Sequence, residues 1–153
     1  MKSIYALFLL VIWLCLSNKA LANDCDSSCQ MGQINSYFKA LDKVSIRGSS
    51  IKDIDYFLSL MHADVKYIHV EYEASFDKES WRKAFVRNLE RDAYQNTNEN
   101  EQRVLKAILG KNHVAVEYTH GVIQKDGTWQ QKKPLLVLFG FTEGKISLVK
   151  ELW

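Results

Sequence analysis

Residues 62–81 read HADVKYIHVEYEASFDKESW. The stretch 65–72 is dense in β-branched and aromatic residues and predicts a strand. Side chains alternate along a strand, so Tyr67, His69 and Glu71 share one face. A plain core strand would carry valine or isoleucine there. A phenol, an imidazole and a carboxylate in succession point instead to a strand that lines a cavity. The second half predicts a helix. Asp77 is a candidate N-cap, and Trp81, Ala84, Phe85 and Leu89 follow at helical spacing, to about Ala93.

Upstream, Ile34, Tyr37, Phe38 and Leu41 fall at i, i+3, i+4 and i+7 and predict one apolar helical face. Gly48-Ser49-Ser50 ends that segment. Ser50 and Asp53 have the spacing of a capping box. Behind them, Ile51, Ile54, Phe57, Leu58 and Met61 predict a second amphipathic helix. Downstream, the polar run 95–102 (QNTNENEQ) predicts a loop. Strands are predicted over 103–109, 113–123, 134–142 and 146–153. Gly110-Lys111-Asn112, Asp126-Gly127 and Glu143-Gly144 supply the turns between them.

The order is therefore helix, helix, strand, helix, then four antiparallel strands. That is an α+β arrangement, with helices gathered at one end of the chain and a meander at the other. A strongly curved antiparallel sheet would wrap the helices as a cone open at one end.

The beginning of the chain reads differently. Lys2 precedes an apolar run over 4–16, and Ala20-Leu21-Ala22 closes it, the pattern of a secretory signal peptide at 1–22. One domain is expected over 23–153, in an exported, periplasmic or secreted protein. Processing would remove Lys2 and Lys19 and no acid, leaving 18 basic against 18 acidic residues. That balance predicts no nucleic-acid partner and no membrane attachment after cleavage. Cys25 and Cys29 would remain as a pair, which in an exported chain suggests a local disulfide.

Three stretches carry a resemblance: FLSLMHADVKYIHV, DKESWRKAFVRNL and the terminal GKISLVKELW. With the element order, they resemble the nuclear transport factor 2-like superfamily, and within it the SnoaL-like group, over residues 33–153. The resemblance implies the cone fold. It also implies a range of activities, from isomerases, cyclases, dehydratases and hydrolases to members with no chemistry. In members similar to ketosteroid isomerase, the strand after an opening aspartate carries a carboxylate base. Counted from Asp64, that place holds His69 here. An imidazole can serve as an acid or base near neutral pH.

Candidate catalytic residues are thus His69 and His120. Tyr67, Glu71, Trp81 and Tyr118 are the candidate ligand contacts. Each has a structural alternative: a hydrogen-bonded core histidine, a solvated glutamate, aromatic core area. Tyr118 and His120 share a face of the 113–123 strand, whereas His113 points the other way. In the last strand Val149, Glu151 and Trp153 share one face, and Ile146, Leu148, Lys150 and Leu152 the other. Both faces carry apolar residues, so the inward one is not readable, and a homodimer packed on the outer face fits.

No ligand spacing for a metal, no phosphate-binding loop and no dinucleotide motif occurs, so no metal or cofactor is expected. Two functions remain. One is an exported domain that binds a small, largely apolar organic molecule in its cone. The other is an isomerase or dehydratase with His69 as general acid/base, His120 assisting and Tyr67 or Tyr118 donating to an oxyanion.

Overall fold

A computed structural model describes residues 25–153. The leader expected at 1–22 lies outside the described residues. No described helix is long and apolar enough to cross a membrane. Cys25 and Cys29 are joined in a disulfide, their Cα atoms 5.2 Å apart.

Helix α1 (Ser27–Val44) starts where Asp26 accepts a hydrogen bond from the Cys29 amide, and it buries Ile34, Tyr37 and Phe38 along one face. Helix α2 (Ile51–Ser59) carries the expected Ser50–Asp53 capping box and buries Ile54, Phe57 and Leu58. Helix α3 (Lys78–Glu90) is capped by Asp77, whose side chain accepts from the Ser80 amide, and it buries Trp81 and Phe85.

Seven strands form one sheet: β1 (Met61–His69), β2 (Ala74–Phe76), β3 (Asn100–Leu109), β4 (His113–Ile123), β5 (Trp129–Gln131), β6 (Leu135–Thr142) and β7 (Lys145–Glu151). Their order is β2-β1-β7-β6-β4-β3, with β5 paired to β4. All pairs are antiparallel except β1 with β7, which run parallel. The sheet curves over the helices, and aromatic edges fill the space between them. Tyr37 and Phe38 of α1 meet Phe139 of β6 at 5.0 and 5.9 Å between centroids, and Phe57 of α2 meets Trp81 of α3 at 5.2 Å. Burying each such ring contributes about 1.5–3 kcal/mol.

Four expectations change in detail. The second helix ends before Met61, which instead opens β1 and is fully buried there. The strand expected at 65–72 stops at His69, because residues 70–73 turn into β2 with Glu73 at φ 49°. Strand β3 begins inside the polar run, at Asn100. The short strands β2 and β5 are additions. Trp129 of β5 lies over Gly121, where any Cβ would come within 2.2 Å of the indole nitrogen.

The inward face of β7 is now readable. Val149 and Glu151 point into the cone, and a register irregularity at Gly140/Phe141 brings Ile146 inward as well. Residues three apart thereby share a face that strict alternation would deny them.

A candidate ligand cavity around a buried carboxylate

Glu151 is the last residue of β7, and the parallel register sets it beside His69 of β1. Three donors face its carboxylate. The Tyr67 hydroxyl donates to Oε2 at 2.7 Å. The Tyr118 hydroxyl approaches Oε1 at 3.5 Å. His69 Nε2 lies 3.5 Å from Oε2, but without the alignment of a hydrogen bond.

Two of the three are held from behind. The Trp153 indole donates to the Tyr118 oxygen at 3.1 Å, which leaves the Tyr118 proton free to point at Glu151. The Tyr72 amide donates to His69 Nδ1 at 3.4 Å, which turns Nε2 toward Glu151. The imidazole stacks on the Tyr72 ring at 4.3 Å and meets the Trp153 ring edge-on at 4.4 Å.

Burial pushes the Glu151 pKa up, while Tyr67, then His69, then Tyr118 oppose the shift. Burial and the Glu151 charge raise the phenols of Tyr67 and Tyr118 well above their ordinary value, so both remain protonated donors. Burial does the same to Tyr37, with the Glu151 charge next in weight. The Tyr37 hydroxyl is buried and has no hydrogen-bond partner among the described residues.

Glu151 closes one end of a cavity of about 320 Å3. Its walls are largely aromatic: Tyr37, Tyr67, Phe76, Trp81 and Phe85, with Leu41 and Ala84 between them and Arg87 and Asn88 also lining it. Trp81 is 6% exposed and stacks on Tyr67 at 4.6 Å, so helix α3 and strand β1 form one continuous aromatic wall. Such a site can hold an apolar body and accept a hydrogen bond or proton at one end.

The candidates named from sequence fall into three groups. Tyr67 and Trp81 line the cavity. His69 and Tyr118 contact its carboxylate. The other two stand apart. Glu71 is exposed in the turn after β1, its amide bonded to the Trp153 carbonyl. The strand face it was assigned to ends two residues earlier. His120 borders a separate recess of about 160 Å3 with Asp42, Gln102 and Lys132. Burial, then the Lys132 charge, lowers its pKa. The two histidines therefore do not converge on one cavity. Among the described residues, no three potential metal ligands cluster.

Sequence reasoning missed Glu151, Tyr37 and Trp153 as parts of the site. The available signal was the shared parity of Val149, Glu151 and Trp153. It lacked only the direction of that face.

No protein-family model matches the sequence, and no curated protein matches it either. Solved structures do. A ketosteroid isomerase-like protein from Catenulispora acidiphila, in complex with trimethylamine, is 17% identical with a TM-score of 0.55; the match covers 79% of this chain and 84% of that one. A nuclear transport factor 2-like protein of unknown function from Burkholderia pseudomallei is 14% identical with a TM-score of 0.55, over 82% and 90%. The fold is that of the nuclear transport factor 2-like superfamily. The epoxide hydrolase/cyclase-like enzyme SalBIII, of pyran ring formation in the polyether salinomycin, shares it at 15% identity and a TM-score of 0.57, over 84% and 92%. These likenesses bear on the nuclear transport factor 2-like architecture alone, since that fold carries many chemistries.

Proposed function

We propose that this chain is an exported domain that binds a small, largely apolar organic molecule in its cone cavity. The observation that carries this reading is the buried Glu151 carboxylate at one end of an aromatic-walled cavity. The ligand complex of the Catenulispora protein, bound to trimethylamine, is consistent with such a role for the fold. The test is an NMR fragment screen of the mature protein. Binders should perturb the signals of Tyr67, Trp81 and Phe85, and Ala84→Phe, which fills the cavity, should abolish the perturbation. A screen in which every binder is indifferent to Ala84→Phe would overturn the reading.

Export is supported by the leader-like sequence at 1–22 and by the Cys25–Cys29 disulfide. N-terminal sequencing of protein recovered from outside the cytoplasm should find Asn23 first.

A homodimer is supported by the outer face of the sheet. Ile108 is 76% exposed there, beside a depression of about 380 Å3 that Ala115, Pro134 and Leu136 also line. Sedimentation should give twice the monomer mass, and Ile108→Glu should return it to one.

The second reading is an isomerase or dehydratase. Its general base is better assigned to Glu151 than to His69, because the carboxylate reaches the cavity and the imidazole stands behind it. Burial raises the Glu151 pKa toward the neutral range where a base is most effective, and Tyr67 and Tyr118 hold it in place. Turnover of a small carbonyl compound that Glu151→Gln abolishes would favour this reading over binding alone.

A further inference from the structure

We infer that the cone cavity takes a small organic cation, an alkylammonium group, with Glu151 as its counter-ion and the rings of Tyr37, Tyr67, Trp81 and Phe85 as its walls. The inference rests on the cavity reading and specifies its ligand.

A carboxylate removed from water is costly unless a positive charge accompanies it. Glu151 has no lysine or arginine partner among the described residues; its sole ion-pair contact is His69. That imidazole lies 3.5 Å from Oε2 without the alignment of a hydrogen bond, a poor partner for a buried carboxylate. The hydroxyls of Tyr67 and Tyr118 screen the carboxylate but do not neutralise it. The carboxylate is therefore held by two phenols and has no permanently charged side chain paired with it among the described residues.

What surrounds it suits a soft, weakly hydrated cation rather than a metal. The cavity offers aromatic faces, not further carboxylates. The negative face of an aromatic ring attracts an ammonium group, most strongly when both are out of water. The Tyr37 hydroxyl, buried and without a partner, supplies a second polar contact. Arg87 is the one positive side chain of the lining, and it is exposed. Solvent screens its charge, whereas the buried Glu151 acts at short range in a poorly screened setting.

Isothermal titration calorimetry at pH 7 tests this with three probes. These are tetramethylammonium, choline, and 3,3-dimethylbutan-1-ol, the neutral isostere of choline. Both cations should bind, and the neutral alcohol should bind roughly tenfold more weakly or worse. Glu151→Gln should remove that preference by weakening the cations far more than the alcohol. Trp81→Leu should weaken the cations with Glu151 intact. If the alcohol binds as tightly as choline, the cation inference is overturned and the apolar-cavity reading stands. If none of the three binds and the fragment screen is also silent at the cavity, both fall. The comparison of choline with its isostere needs no variant, so a misfolded substitution cannot obscure the result.

Discussion

Tyr67 and Glu151 stand on neighbouring parallel strands, and the phenol donates a 2.7 Å hydrogen bond to the carboxylate. Tyr67 stands out in its strand, whereas Glu151 is one of several polar residues in the last strand. Together they convert a strand end and a strand middle, 84 positions apart, into the polar end of a cavity.

Removing that donor has two consequences. A hydrogen bond to a charged group contributes about 1.5–3 kcal/mol, so Tyr67→Phe should destabilise the domain by that order in denaturant unfolding. It should also raise the Glu151 pKa further, since Tyr67 is the largest of the influences opposing burial. Tyr118→Phe should do less on both counts, because its 3.5 Å approach is longer than a normal hydroxyl hydrogen bond.

The pH dependence of stability follows from the direction of the Glu151 shift. Its folded pKa lies above the ordinary 4.5 because burial disfavours the charge. The folded state therefore keeps the proton longer than the unfolded chain does. The associated stability is fully present below the unfolded pKa and is lost as pH rises through the folded one. Glu151→Gln cannot ionise and should lack this loss. Unfolding of the two proteins should differ progressively in favour of the variant from about pH 4.5 upward, and the increment should vanish below it.

Trp81 joins the hydrophobic core to the cavity wall, touching Phe57, Phe85 and Tyr67. Trp81→Ala should cost about 3–5 kcal/mol, the usual range for deleting a buried large aromatic. Thermal unfolding would check it.

His120 borders a different recess from Glu151. His120→Ala should therefore leave ligand affinity unchanged in calorimetry, whereas His69→Ala, which removes a donor facing the carboxylate, should weaken it.

The parts of the fold visible in the sequence were those with local causes. The Ser50–Asp53 box and the Asp77 cap are fixed by residues three apart, and the apolar faces of all three helices follow a single period. The end of α2 was less legible. Met61 continues the apolar spacing, yet it belongs to the strand, because the same core receives both elements. Glu71 was assigned to the cavity face because nothing local announced the turn after His69. Glu151 was hidden for a different reason. β7 is apolar on both faces, and its inward side depends on pairing with β1 and β6, including an irregularity no single strand reveals. Compartment was read only from residues outside the described region. Cavity-lining residues such as Tyr37 look like any other core aromatic until the sheet closes around them.

The most direct test of the account is the titration of the Glu151 side-chain carboxyl by carbon-13 NMR, assigned with Glu151→Gln. The account predicts a pKa above the ordinary glutamate value, raised further by Tyr67→Phe and unmoved by His120→Ala. A carboxyl that titrates as an exposed glutamate and ignores Tyr67→Phe would contradict the buried, donor-held anion on which the cavity reading depends.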